Sequence, residues 1–282
     1  MKVADAMTPR EDLVTVSLPG TREDALAYLQ ERSFSSVPVV KSTGDGESFR
    51  GLVTREGLIQ QPDEDQLALL VEEVPTTTAD ATLTDLAALV RESGQRRVPV
   101  VDGRLEGIVT VTDVIRAMAN GDVDGEVPAG GLAKRHVNCV HLETPLPVAE
   151  RELSYADEAY GVVLDGDGDP CGMLTEVDII DVARVVEGEE STGDAIANED
   201  DEWMWEWIKA VGSRYMPTRN VELPAEPVRE FMTEELVTVS GRRTAAEVAG
   251  LMLTHDIEQV PLMEAGDLEG IVTDMDLQEA LV

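Results

Sequence analysis

A threonine and an aspartate three residues apart recur at three places. They are Thr110 and Asp113 in Gly107-Ile-Val-Thr-Val-Thr-Asp, Thr175 and Asp178 in Gly172-Met-Leu-Thr-Glu-Val-Asp, and Thr273 and Asp276 in Gly270-Ile-Val-Thr-Asp-Met-Asp. A fourth copy, Gly51-Leu-Val-Thr54-Arg-Glu-Gly57, lacks the acid. Each copy reads as a strand running into a helix. Two chemistries suit the pair. The Thr and Asp can cap the helix, which by itself would account for one copy. Alternatively, the carboxylate can accept two vicinal hydroxyls while the Thr adds a donor beside amides that favour anions. Three copies on the same turn favour ligand contact in the second and fourth units. The third stays open between the two readings, and the first lacks the residue that would hold a diol.

Cationic residues are scarce, so their pairs stand out: Arg96-Arg97, Lys134-Arg135 and Arg242-Arg243. The ordinary fate of such residues is pairing with the surrounding acids. Other chemistry fails on spacing. Asp165, Asp167, Asp169 and Glu176 match positions of a calcium loop, but Pro170 stands where its turn needs Gly, and a hairpin turn fits better. His136, His141 and His255 share no metal spacing, and there is no phosphate-binding Gly-rich loop. No catalytic constellation is present, and neither a cofactor nor a metal is expected.

These residues ride on a chain of extreme charge, with 57 Asp plus Glu against 22 Lys plus Arg, a net of −35. Such a surface repels nucleic acid and anionic membranes. The acids are spread along the chain, which fits a salt-rich cytoplasm: at about 1 M ions the Debye length falls to about 3 Å. Hydrophobic content of 43% supports real cores. Two cysteines, Cys139 and Cys171, match no disulfide framework or zinc spacing; they could lie on neighbouring strands, but two reduced thiols are the expectation. No apolar run approaches the roughly 20 residues of a membrane span, and no signal peptide precedes the first unit, so a soluble cytoplasmic protein is expected.

The recurring glycine stands at 51, 107, 172 and 270, so the last step is longer by one insert. The order expected in each unit is strand, helix, two hairpin strands, helix. Leu13 to Ser17 and Val237 to Val239 read as short leading strands. Thr21 with Asp24, Thr82 with Asp85 and Thr244 with Glu247 read as capping boxes. The apolar faces behind them are Ala25, Tyr28 and Leu29; Leu83, Leu86, Ala87 and Val90; and Ala245, Val248, Ala249 and Met252. Val37-Pro38-Val39, Val98-Pro99-Val100 and Val260-Pro261-Leu262 read as buried strands with Pro at the start. Pro145 and Pro147 argue against a full-length helix in the third unit. The organisation expected is unit 1 over 1–62, unit 2 over 63–122, a degenerate unit 3 over 123–186, an insert over 187–223 and unit 4 over 224–282. In the insert, Trp203, Trp207 and Val211 share one helical face that packs on the protein or docks a partner.

The four units resemble CBS domains, named after cystathionine β-synthase. The resemblance rests on the leaders Val3-x-Asp-x-Met7-Thr8 and Val228-x-x-Phe-Met232-Thr233, on the Val-Pro-Val strands and on the Gly-Ile-Val-Thr-x-x-Asp segments, in the same order. The layout, with its Trp-rich insert, is also similar to uncharacterised CBS-pair proteins of haloarchaea. The resemblance implies an α+β fold in which the units pair into two Bateman modules. It also implies clefts for AMP, ADP, ATP or another adenosyl ligand. Thr110, Thr175 and Thr273 would then contact phosphate or ribose, and Asp113, Asp178 and Asp276 the ribose hydroxyls. Arg96, Arg97, Arg242 and Arg243 would flank the phosphates. The function implied is a stand-alone regulatory module without catalysis. The alternative is a ligand-free scaffold that docks a protein partner through its sheet faces or the tryptophan helix. A homodimer is left open.

Overall fold

The computed structural model describes residues 1–31, 36–44, 46–54, 57–58, 64–182, 184–185 and 221–282. The tryptophan helix expected around Trp203 and Trp207 lies outside these residues. In chain order the elements are α1 (Val3–Ala6), β1 (Thr8–Pro9), β2 (Val16–Leu18), α2 (Arg22–Glu31), β3 (Ser36–Thr43) and β4 (Gly46–Thr54). Then come α3 (Leu83–Ser93), β5 (Arg97–Asp102), β6 (Arg104–Thr110) and α4 (Val111–Ala119). The third repeat contributes β7 (Cys139–His141), α5 (Leu146–Ala156), β8 (Tyr160–Leu164), β9 (Pro170–Thr175) and α6 (Glu176–Val182), followed by β10 (Arg184–Val185). The chain closes with β11 (Val221–Glu222), α7 (Ala245–His255), β12 (Gln259–Glu264), β13 (Asp267–Thr273) and α8 (Asp274–Leu277). Two compact units result: Met1–His136 with Val237–Val282, and Val137–Leu236.

The helices form where the apolar spacing places them. Leu83, Leu86, Ala87 and Val90 are buried along α3, as are Ala245, Val248, Ala249 and Met252 along α7. The Thr82 and Thr244 boxes cap both helices. On α2, Ala25 and Leu29 are fully buried but Tyr28 is 38% exposed. It sits at the edge of the stripe, one turn position away from its centre. The third repeat is less degenerate than its prolines suggest, since α5 runs a full Leu146–Ala156. Pro145 is its N-cap and Pro147 lies in the first turn, where missing N–H groups cost no intrahelical bond.

The sheets are small: β2-β3-β4, β1-β6-β5 and β7-β8-β9 in three strands, β12-β13 and β10-β11 in two. Pro38, Pro99 and Pro261 are each the third residue of their strand, not the first. The β2 strand joins β3 only from Val39 onward, so Pro38 stands just before the ladder that would need its N–H. The expected strand at Val237 to Val239 is reduced to one parallel bridge between Val239 and Leu262. Cys139 on β7 and Cys171 on β9 flank β8, so they are not on adjacent strands, and both thiols are free. The Asp165 stretch is a hairpin turn. Asp165 Oδ1 accepts the Asp167 and Asp169 amides at 2.9 and 3.0 Å. Among the described residues no cluster could hold a metal ion.

The leaders do not fold onto their own repeats. Val3 of the first repeat donates its N–H to Ala81 O at the start of the second repeat's helix, and β1 pairs with β6. Leu67 of the second repeat donates to Gly20 O of the first, and Glu72 pairs with Leu52. Ala129 donates to Arg243 O and Lys134 pairs with Ile271 of the fourth repeat, while Val228 donates to Thr144 O and Thr233 pairs with Met173 of the third. The exchange is reciprocal, first with second and third with fourth. Val3, Leu67, Ala129 and Val228 are each 0% exposed in the core they enter. Truncating Leu67 to Ala would therefore cost about 2–5 kcal/mol. In the larger unit, α4 packs against α7, and the second and fourth repeats share one apolar core.

Candidate functional site

Each Thr-x-x-Asp segment is the junction of a hairpin strand and the following helix. Thr110, Thr175 and Thr273 end β6, β9 and β13. Behind each, the next amide is held by the residue just before the neighbouring strand: Val111 N–H donates to Arg96 O, Glu176 N–H to Ala159 O and Asp274 N–H to Glu258 O. The Thr hydroxyls accept from the Asp amides at 3.2 to 3.4 Å. In return one oxygen of each carboxylate, Oδ2, accepts the backbone N–H and the hydroxyl of its Thr at 2.7 to 2.9 Å. The cap is thus present in all three copies and consumes one carboxylate oxygen.

The other oxygen differs among the copies. Asp113 Oδ1 pairs with Arg116 at 2.7 Å, one helical turn on. Asp276 Oδ1 lies 3.9 Å from Lys134 Nζ of the third repeat's leader. Asp178 Oδ1 has no ion pair among the described residues. Each carboxylate thus has a second oxygen that the cap does not use, held by Arg116 in Asp113 and near Lys134 in Asp276, and it is the acceptor a vicinal diol would need.

The first copy is completed from elsewhere. Gly57 N–H donates to Thr54 Oγ1 at 2.8 Å, as the aspartates do in the other copies. The Thr54 hydroxyl then donates to Glu72 Oε1 at 2.8 Å. A Cβ on Gly57 would collide with that Glu72 oxygen. The acid missing from the helix is supplied by the partner repeat's leader. Nothing in the local pattern around Gly57 signals this, because the substitute belongs to the next repeat's leader and is brought there by the Glu72–Leu52 pairing.

The recurring glycine has the same cause. A Cβ would lie 2.5 Å from Thr8 O at Gly107, 2.8 Å from Thr233 O at Gly172 and 2.7 Å from Lys134 O at Gly270. At Gly51 the Glu72 carbonyl is closer still. The leader's backbone crosses each strand where only hydrogen fits.

The arginines are placed less simply. Arg96 carries a bidentate pair to Asp274, at 3.0 and 2.5 Å, and reaches Glu258 at 3.0 Å. Asp274 is 5% exposed. Burial pushes its carboxyl above the ordinary value, and the Arg96 guanidinium opposes that shift. Arg96 of the second repeat is thus clamped to the residue following Thr273 of the fourth. Arg97 lies opposite Thr110 in the β5–β6 register. Arg242 pairs with Glu264 at 3.1 Å and Arg243 with Glu247 at 2.6 Å. Glu264 is at the hairpin end of β12, whereas Gln259 at its start faces Thr273, a separation of roughly 17 Å along the strand. The structure does not bring Arg242 to the fourth turn.

A cavity of about 750 Å³ lies elsewhere, lined by Arg10, Glu47, Asp102, Arg104 and Glu106 among others. It sits at the hairpin end of β6, roughly 20 Å of strand from Thr110. Both of its arginines are engaged by acids of the lining: Arg10 meets Glu47 at 2.7 Å and Arg104 meets Glu106 at 2.8 Å, while Glu11 and Asp102 add further negative charge. The Arg10 partner holds the Glu47 carboxyl below its usual range. The candidate site is the set of Thr-x-x-Asp turns, where each carboxylate has an oxygen that the cap does not use, and not this acid-rich cavity whose arginines are already paired.

Comparison with known proteins identifies the repeats. The CBS domain profile matches residues 3–63, 68–120, 129–184 and 228–282. Uncharacterized protein MJ1404 of Methanocaldococcus jannaschii is 26% identical over 277 residues, 98% of this chain and 60% of that protein. The chain thus spans less than two thirds of that relative's length. A crystal structure of an uncharacterized conserved protein from Pyrococcus horikoshii is 28% identical, with a TM-score of 0.70 and 100% of both chains covered. That of MJ1225 from M. jannaschii is 18% identical with a TM-score of 0.65 over 100% of both chains, a likeness of fold. With four matched repeats and leaders exchanged in the two pairs that make Bateman modules, this chain belongs to the CBS domain family.

Proposed function

We propose that the protein is a regulatory ligand-binding module. It takes an adenine nucleotide or a related adenosyl ligand at its Thr-x-x-Asp turns and performs no catalysis of its own. The observation that carries the reading is the split use of each carboxylate. Oδ2 of Asp113, Asp178 and Asp276 is fixed by the cap, so Oδ1 is held in one orientation before a ligand arrives. A preorganised acceptor binds a ribose diol without first losing side-chain freedom. The family resemblance points to the same ligand class. Calorimetry of the full chain with AMP, ADP, ATP and S-adenosylmethionine in molar KCl tests the reading. Binding of at least one, weakened more than tenfold by Asp113→Ala with Asp276→Ala, is expected. Absence of binding to all four sinks it.

A second reading, a ligand-free scaffold, is favoured by the first turn, where Glu72 already occupies Thr54. On that reading a partner recovered from lysate binds equally with and without nucleotide.

A further inference from the structure

One leader position per repeat is paired two residues before the Thr of each turn, and at Glu72 and Lys134 its side chain reaches the turn. It is the leader residue paired with the second residue of the recurring segment: Thr8 opposite Ile108, Glu72 opposite Leu52, Lys134 opposite Ile271 and Thr233 opposite Met173. The backbone fixes it. Lys134 N–H donates to Ile271 O at 2.9 Å and Ile271 N–H returns to Lys134 O at 3.0 Å, and the Glu72–Leu52 and Thr233–Met173 pairs are bonded the same way. The side chain at this position therefore has a set origin and differs only in chemistry. In the first turn it is an acid bound to Thr54. In the second and third it is a neutral threonine. In the fourth it is a cation, with Nζ 3.9 Å from the Asp276 oxygen that the cap does not use and the side chain 46% exposed.

We propose that this leader residue sets the charge class of the ligand at each turn, and that Lys134 makes the fourth turn the one selective for a phosphorylated nucleoside over the bare nucleoside. The inference rests on the function proposed above and deepens it. Asp276 accepts the diol, and the ammonium beside it offers three donors to an anionic group a few ångströms away. The 3.9 Å gap to Asp276 is longer than a tight ion pair, so the ammonium can turn to a phosphate without breaking a short bond. Glu72, at the same place in the first turn, repels the same group.

The test isolates the fourth turn. In a full-length Asp113→Ala, Asp178→Ala background only that turn keeps its Thr-x-x-Asp aspartate, and AMP and adenosine are titrated calorimetrically in KCl. The background is expected to prefer AMP at least tenfold. Adding Lys134→Thr, the residue type of the second and third turns, should lower AMP affinity about ten- to hundredfold, the range of a charged hydrogen bond, and leave adenosine binding unchanged. Lys134→Glu should invert the preference. An AMP preference that survives Lys134→Thr, or an equal loss for both ligands, overturns the assignment while leaving nucleotide binding intact. A background that binds neither ligand although the wild type does overturns it too, and failure of the wild type itself removes the function with it.

Discussion

At the scale of single residues, the Asp of each turn serves two ends through its two oxygens. The cap requires a carboxylate three residues after the Thr, and that spacing is visible in the chain. What the cap leaves over depends on neighbours that are far away in sequence. Asp113 finds Arg116 locally, but Asp276 finds Lys134 only through the leader exchange. The first turn is the sharpest case, because Gly57 and Glu72 are a compensated pair. Gly57→Asp, which restores the recurring pattern, is expected to destabilise the protein by about 1–3 kcal/mol, since it drives a second carboxylate into Glu72. Adding Glu72→Ala should recover most of the loss. Chemical denaturation of both variants measures it, and additive losses would show that the two positions are uncoupled.

At the scale of elements, helix existence follows apolar spacing and caps, so α3 and α7 were legible residue by residue. The α5 helix was misread because proline was weighed as a helix breaker without its position in the first turn. That helix also buries Glu150, 5% exposed, with Oε1 lacking a hydrogen-bond partner among the described residues. Burial pushes its carboxyl up, against a weaker opposing effect of Arg151. An acid whose folded value is raised takes up protons on folding. Its ionisation therefore costs stability as pH rises through the ordinary carboxylate value toward the raised one, and the cost persists above it. Glu150→Gln should be more stable than the wild type at neutral pH by about 1 kcal/mol or more, with the gap closing under acid conditions. A gap independent of pH would contradict this.

At the scale of the molecule, the second and fourth repeats share a core and are clamped by Arg96 on Asp274. Arg96 is a quarter exposed and Asp274 buried, so losing the guanidinium strands a carboxylate. Arg96→Ala is expected to cost about 3 kcal/mol at neutral pH. Because burial alone would then raise Asp274 further, protonation should relieve part of the loss as pH falls into the carboxylate range. Urea melts at neutral and acid pH distinguish this from a simple packing defect, which would be insensitive to pH. The net charge of −35 acts on the whole surface. Screening by KCl should raise the melting temperature through the molar range, and a flat response would argue against adaptation to salt.

The chain by itself determined the repeats, their capping boxes, the helix faces and the three acids, because each depends on residues within one or two turns of each other. Tertiary structure decided the rest. Each leader is only a few residues of weak local preference, and its choice of the partner repeat over its own is made by long-range strand pairing and the burial of Val3, Leu67, Ala129 and Val228. That choice explains why the recurring glycine is glycine, why the first turn can dispense with its aspartate, and why a lysine that opens the third repeat stands beside the acid of the fourth.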